Sequence, residues 1–419
     1  MSDLFGELEW RGFVHHATQG IGTHLTGASR TVYCGFDPTA PSLQLGNLMP
    51  IMLLRHFQLA GHKPLVLMGG GTGLIGDPSG KRSERPLLSK EQIRENLQRQ
   101  RDQMAKLLDF DGPAQALVLN NADWLVKQSL VDFLRDVGKH FSVNIMLQKE
   151  AVKARLDTGI SYTEFSYMLL QAYDFLHLFR ERGCTLQVGG SDQWGNVTAG
   201  IDLIRRVEGG EAHGLVAPLV TTASGAKFGK TEAGAMYLDP TLTSPYKFYQ
   251  FWYNVDDRDV EAYLKLFTLL SRHDVDAQIK THKKDPSRRE AQARLATEVT
   301  TMVHGRQSAE NAMAVNAVLF SDMDPRQVHA SALDLLAQEI PTARVQSTDG
   351  LSLVDAVVQT GLAKSKSEAR RAIEQGGIYV NQQRVKDPAR KIESPDWLSG
   401  GNLLLRKGKK DYALLRAGT

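Results

Sequence analysis

The sequence predicts an α/β protein, a parallel sheet wrapped by crossover helices, followed by a helical domain and a small α+β domain. Three observations predict it. Short apolar runs alternate with longer segments of helical period through the first half, as parallel strands joined by helices require. After Thr231 the strand signal fades and amphipathic helical patterns take over. The last segment is basic and reads as two short helices followed by hairpin strands. With 419 residues, 42% of them hydrophobic, the chain can bury more than one core, since domains split at about 100 to 200 residues.

In order along the chain, Thr31-Val-Tyr-Cys-Gly-Phe36 reads as the first strand, Leu48 to Leu59 as an apolar helix ended by Gly61, and Pro64 to Met68 as the second strand. Later strands are expected at Ala116–Leu119, Thr185–Val188 and Leu215–Val220, with a helical insertion at about 130–182. This gives a first domain over 1–225. Residues 226–337 form a lysine-bearing loop and a helical domain, with amphipathic helices over Ser244–Leu270, Arg288–His304 and Ala309–Phe320. A polar linker over 338–350 precedes the basic domain 351–419, with helices at Leu351–Gly361 and Ser365–Gly376, hairpin strands at Ile378–Asn381 and Gln383–Val385, and a basic strand near Leu403–Lys410. No internal repeat or low-complexity tract is present.

Net charge is +3, but from Leu351 onward there are 13 Lys/Arg against 7 Asp/Glu, leaving 37 against 40 before it. A basic module on a slightly acidic body suits attraction to phosphates, and reads equally as a solvated basic tail. Cys34 and Cys184 alone make neither a disulfide framework nor a zinc site, which fits a reducing cytoplasm. The first ten residues lack a signal-peptide core, and no apolar run approaches the roughly 18 residues of a membrane span.

Chemistry is expected in the loops at the carboxyl ends of the strands, where open α/β sheets bind ligands. The run Gly69 to Lys81 contains Gly71, Gly73 and Gly76, which formally satisfy a dinucleotide-binding spacing. Asp77-Pro78 directly afterwards breaks the helix that such a motif needs. A second loop, Thr222 to Thr231, imitates a phosphate-binding loop but has three residues between Gly225 and Gly229 where four are needed. With Lys227 and Lys230 it reads either as a mobile surface loop or as one that closes over a triphosphate. On the helix through Asp174, Tyr167, Gln171 and Asp174 share one face at spacings of four and three, forming either a pocket wall or a solvated face. No Ser-His-Asp group, metal cluster or nucleophile elbow is recognisable, so any catalysis here is expected to rest on positioning and electrostatics.

Six motifs in order resemble the bacterial tyrosyl-tRNA synthetases, class I enzymes with a Rossmann-like catalytic domain. They are Tyr33-Cys-Gly-Phe-Asp-Pro-Thr-Ala40, Gly73 to Gly80, Lys139-His-Phe-Ser-Val-Asn144, Gln171-Ala-Tyr-Asp174, Val188 to Asn196 and Lys227-Phe-Gly-Lys-Thr231. The resemblance implies activation of tyrosine by ATP, with attack of the amino-acid carboxylate on the α-phosphorus, and then transfer to tRNA. It implies that Tyr33 and Asp174 face the phenol, and that Asp77, Tyr167 and Gln171 hold the ammonium. Gly35, Asp37, Thr39, Gly46, Asn47, Gly190, Asp192 and Gln193 would line the nucleotide. Thr39, Gln44, Lys81, Arg85, Lys227, Lys230 and Thr231 would stabilise the departing pyrophosphate, with Mg2+ accompanying ATP and no protein-bound metal.

Gln44-Leu-Gly-Asn47 occupies the place of the family's signature, which usually begins with histidine. Glutamine can donate a hydrogen bond there but cannot become cationic. The helical domain and the basic domain, through Lys364, Lys366, Arg370, Arg371, Arg384, Lys407, Lys409 and Lys410, are the implied RNA contacts. A homodimer through the insertion near Phe141 to Glu150 is also implied.

Overall fold

The structure is a computed structural model that describes residues 3–80, 88–225, 228–231, 234–321, 323–346 and 350–418. The first sheet has six strands: β1 His16–Ala17, β2 Thr31–Phe36, β3 Lys63–Met68, β4 Leu117–Asn120, β5 Cys184–Gly190 and β6 His213–Ala217. Their spatial order is β1-β6-β5-β2-β3-β4. β2 to β6 are mutually parallel, and the short β1, absent from the sequence expectation, runs antiparallel on the edge of β6. Each expected strand lies within three residues of the observed one, because strands covered on both faces are near-continuous apolar runs that loops interrupt sharply. Val32, Val66, Leu186 and Leu215 are all fully buried.

The chain steps from β2 to β3 to β4 in one direction and from β5 to β6 in the other. The order therefore reverses between β2 and β5, and a crevice opens beyond their carboxyl ends. The Leu45–Leu59 helix follows β2 and is buried at Leu45, Leu48, Ile51, Leu54 and Phe57. After β3, Gly71, Gly73 and Gly76 surround a 3₁₀ turn, Thr72–Leu74, and the next helix among the described residues is Lys90–Met104. Between β4 and β5 the expected insertion is a run of short helices ending in the long Tyr162–Arg182 helix. No helix among the described residues is long and apolar enough to cross a membrane.

The chain divides into two compact units, Met1–Thr243 with Val255–Leu295, and Ser244–Asn254 with Ala296–Thr419. The expected helix over Ser244–Leu270 is in fact two, Pro245–Tyr253 and Val260–Phe267, one in each unit. Asn254 to Asp259 break it: Asp256 turns back to accept a hydrogen bond from Arg258 N at 2.9 Å, as short acidic side chains do in turns.

In the first unit the lysine loop returns as a two-stranded ribbon, β7 Lys230–Thr231 and β8 Gly234–Ala235. The second unit holds the helices Arg306–Phe320 and Ala330–Leu336 and a five-stranded sheet. That sheet comprises β9 Thr342–Val345, β10 Ile378–Val380, β11 Gln383–Val385, β12 Asn402–Lys407 and β13 Asp411–Ala417, ordered β11-β10-β12-β13-β9. Two helices, Leu353–Gln359 and Lys366–Glu374, bury Leu353, Val357, Ala369 and Ile373 in its core. The segment 338–350, expected as a linker, instead carries β9, which runs parallel to β13. Its Thr-Ala-Arg-Val sequence is too short and too polar to show a strand period, and only the partner strand fixes it.

Candidate active site

A cavity of about 350 Å3 opens where the sheet order reverses. β2 contributes Tyr33 to Phe36 to its wall, β5 contributes Gln187 to Gly190, and the Tyr162–Arg182 helix adds Tyr167, Gln171 and Asp174. The predicted spacing of four and three thus lies on one wall, and the helix face is not solvated. Gly35, Asp37, Thr39, Gln44, Asn47, Asp77, Gly190 and Gln193 line the same cavity.

At one end Asp174 is buried. Trp124 Nε1 donates to its Oδ1 at 2.7 Å and Asn121 Nδ2 to its Oδ2 at 2.8 Å. Burial pushes its pKa up to about 7, although the two donors pull the other way. Trp124 is itself stacked on His177, 4.2 Å between centroids. Tyr33 is 1% exposed, and its hydroxyl has no hydrogen-bond partner among the described residues. Burial, reinforced by the charge of Asp174, holds that phenol well above its ordinary pKa, so it remains a neutral hydroxyl. A buried hydroxyl with no partner is costly, and a ligand that supplies one recovers the cost.

From Asp174 a chain of hydrogen bonds crosses the cavity floor. Asn121 Nδ2 also donates to Thr72 Oγ1 at 2.9 Å, Thr72 donates to Asp37 Oδ1 at 2.8 Å, and Tyr167 donates to Asp37 Oδ2 at 2.9 Å. A Cβ at Gly69 would collide with the Asp37 carboxylate, which explains a glycine at the end of β3. Asp77 is held separately: Ser79 N donates to its Oδ1 at 2.9 Å and Gln193 Nε2 to its Oδ2 at 2.7 Å. Gln171 reaches it indirectly, donating to Gln193 Oε1 at 3.2 Å and accepting from Asn196 Nδ2 at 3.1 Å. Tyr167, grouped with Asp77 by resemblance, bonds to Asp37 instead.

At the opposite end, Gln44 precedes the Leu45–Leu59 helix and its backbone N donates to Asn47 Oδ1 at 2.8 Å. The lysine loop lies against this helix start. Gly229 has φ +73°, and a Cβ there would sit a tight 3.1 Å from Leu45 Cβ. Its carbonyl accepts from Met236 N at 3.0 Å, and Met236 O accepts from Leu45 N at 2.9 Å. Phe228 stacks on Phe267 with centroids 5.1 Å apart and meets Tyr263 edge-on. Lys230 is exposed on β7. Gly46 lies under this loop and Asp192 beside Gly190 and Gly80, and neither lines the cavity. Lys81, Arg85, Lys227 and the side chain of Thr231 lie outside the described residues.

In the second unit the basic candidates separate into two groups. Lys366 pairs with Asp355 at 2.7 Å, Lys407 with Glu368 at 2.7 Å, and Arg384 donates to the carbonyls of Gly376 and Gln375. Of these three only Lys407 is partly covered, whereas Lys366 and Arg384 make their contacts from the exposed surface. Lys364, Arg370, Arg371, Lys409 and Lys410 have exposed side chains, and the last two line a groove with Leu319, Phe320 and Tyr412.

Sequence reasoning missed Cys34, Thr72, Asn121, Trp124 and Gln187. Cys34, Thr72, Asn121 and Gln187 line the cavity, and Trp124 holds Asp174. Cys34 is a buried thiol whose pKa burial lifts to about 12, so it is no nucleophile. Applying the carboxyl-end rule to β4 as well points to Asn121, which directly follows that strand.

A family profile described as tRNA synthetases class I (W and Y) matches residues 26–321, and one for the Tyrosine--tRNA ligase SYY-like C-terminal domain matches 332–415. The chain is 52% identical to a Tyrosine--tRNA ligase of Roseiflexus castenholzii, covering 99% of this chain and 100% of that one. It is 48% identical to Tyrosine--tRNA ligase 1 of Bacillus subtilis, covering 99% of each. Among solved structures, a C-terminally truncated mitochondrial tyrosyl-tRNA synthetase of Aspergillus nidulans superposes with a TM-score of 0.70 at 30% identity, over 76% of this chain and 95% of that one. The tyrosyl-tRNA synthetase of Archaeoglobus fulgidus, at 15% identity, shares the fold with a TM-score of 0.56 over 73% of this chain and 99% of that one.

Proposed function

The chain belongs to the class I tRNA synthetases of the tryptophan and tyrosine type, and within them to the tyrosine–tRNA ligases; from this we propose how its cavity activates tyrosine with ATP and hands it to tRNA. Tyrosine enters with its phenol between Tyr33 and Asp174. Asp174 accepts the phenolic proton and the unpartnered Tyr33 hydroxyl completes the pair. Asp77, fixed by Ser79 N and Gln193, receives the ammonium. ATP enters as its magnesium complex, the ion carried by the phosphates, and lies along the glycine-lined ends of β2 and β5 with Asp37, Asn47 and Asp192 near the nucleoside. The tyrosine carboxylate attacks the α-phosphorus. Thr39, Gln44, Lys81, Arg85, Lys227, Lys230 and Thr231 stabilise the departing pyrophosphate, so no protein nucleophile is needed. Lys364, Lys366, Arg370, Arg371, Arg384, Lys409 and Lys410 supply exposed charge for tRNA phosphates, with Lys407 beside them.

The observation that carries this reading is the buried, unpartnered Tyr33 hydroxyl beside the doubly held Asp174. Phenylalanine would leave the Tyr33 hydroxyl unpaired and offer Asp174 no third donor. Enzymes of this type are the general example of such discrimination, at a factor of about 10⁵, and that magnitude is theirs. Pyrophosphate exchange into ATP, run with tyrosine, with phenylalanine and with neither, tests it. Exchange with tyrosine alone is expected and shows that Gln44 suffices; equal exchange with phenylalanine defeats the assignment of Tyr33 and Asp174.

We further propose that the enzyme is a cytoplasmic homodimer. Leu130, Val131, Leu134, Val143, Ile145 and Leu147 in the insertion, with Val126 just before it, are all exposed, and apolar surface of that extent asks for a partner. Sedimentation equilibrium should return twice the chain mass, falling to one for Ile145→Asp. The two cysteines are free and buried, as a reducing compartment keeps them.

A further inference from the structure

The segment from Asp37 to Gln44 brings Asp37, Thr39 and Gln44 to the cavity but lies outside any named strand or helix. Side chains of another element supply the missing grip. On the Lys90–Met104 helix, Asn96, Gln100 and Gln103 stand at spacings of four and three on one face. Asn96 Nδ2 donates to Pro38 O at 3.0 Å and Gln100 Nε2 to Ala40 O at 2.8 Å. Gln103 uses both ends of its amide: Oε1 accepts from Leu43 N at 2.9 Å and Nε2 donates to Ser42 Oγ at 3.1 Å. The helix face acts as a neighbouring strand would, one amide for each step of the segment.

The segment's other side is tied to the stretch that leads back from the lysine loop. Asp239 N donates to Ser42 Oγ at 3.2 Å and Leu238 N to Leu43 O at 2.9 Å. Asp37 itself is pinned independently by Thr72 and Tyr167. Loss of the three amides therefore frees residues 38–41 and leaves 42–43 tied on one side only, while the tyrosine end stays fixed.

We propose that Asn96, Gln100 and Gln103 are positioning residues for the activation step, setting Thr39 and Gln44 against the departing pyrophosphate without touching tyrosine. The proposal rests on the reading that this end of the cavity handles the leaving group. Groups that stabilise developing charge work only when preorganised, and a displacement of about 1 Å can cost about 10²-fold in rate. A role limited to satisfying buried backbone would instead lower stability and leave rate constants alone.

The test compares Asn96→Ala, Gln103→Leu and Gln103→Glu with the wild-type chain. Tyrosine-dependent pyrophosphate exchange, tyrosine affinity by equilibrium dialysis and melting temperature are each measured. Asn96→Ala and Gln103→Leu are expected to lower kcat about tenfold or more with tyrosine affinity within about twofold of wild type. Gln103→Glu keeps the acceptor for Leu43 N and is expected to recover most of the rate. Unchanged kcat, a parallel loss of tyrosine affinity and melting temperature, or a Gln103→Glu variant no better than Gln103→Leu overturns the proposal. The wild-type exchange is read first: its absence removes the activation reading and this proposal together, whereas its presence with unaffected variants removes this proposal alone.

Discussion

At Asp174, burial and hydrogen bonding act in opposite directions. Desolvation raises the carboxyl pKa and the Asn121 and Trp124 donors lower it, and burial wins, leaving it raised from 3.8 to about 7. By linkage, the folded state binds this proton more tightly than the unfolded chain does, so this group's contribution to stability falls as pH climbs from about 4 to about 7. Ligand binding has the opposite sign. A phenol that donates to Asp174 needs the carboxylate, so the tyrosine KM should be level above about pH 8 and rise below 7, approaching tenfold per unit. Asn121→Ala removes one donor and should move that break to higher pH. A tyrosine KM constant from pH 8 to 6 would show that Asp174 does not accept the phenol proton.

Among the elements, the lysine loop shows what local sequence can and cannot announce. Its glycines and lysines suit a phosphate-handling loop and a plain surface loop alike, and its place is set by Gly229 against Leu45 and by Phe228 on Phe267, neither of which any spacing predicts. Gly229→Ala forces a side chain into a left-handed backbone, at about 1–2 kcal/mol, and against Leu45 Cβ. Exchange kcat is expected to fall about tenfold with tyrosine affinity retained; equal rates would mean that the loop's docked position is irrelevant to activation. The buried strands were legible because apolar runs bounded by glycine and proline are local signals. The Tyr162–Arg182 helix and its polar face were legible for the same reason. Thr72, Asn121 and Trp124 were not, because Asp174 lies some 50 residues beyond Asn121 and Trp124, Asn121 lies as far beyond Thr72, and only the sheet order brings β4 beside that helix. The break at Asn254 was hidden inside a continuous amphipathic pattern.

In the molecule as a whole, β9 changes how the basic domain can be removed. A cut after Gly350, where the basic segment begins in sequence, strands β9 without its ladder to Leu414–Ala417 and exposes an open edge. A cut after Ile340 removes the sheet intact. Both shortened proteins should retain tyrosine-dependent exchange, and both should charge tRNA at least about 100-fold more slowly. The longer should also aggregate more readily in light scattering. Undiminished charging by either would place the RNA contacts elsewhere. The domain also has anchors on the helical part of its own unit, since Tyr412 donates to Leu319 O at 3.0 Å, Gln382 to Val318 O at 2.7 Å, and Arg416 pairs with Asp334.

The β9–β13 ladder also has a consequence in time. About 70 residues separate the two strands, yet they lie side by side in parallel register. On a ribosome adding about 5 to 20 residues per second, β9 emerges and waits roughly 4 to 14 seconds before its neighbour exists. A strand of only four residues carrying the exposed Arg344 is short and charged enough to wait without recruiting a neighbouring nascent chain. The brevity that hid β9 from the sequence pattern is thus the property that lets it stay single until synthesis delivers β13.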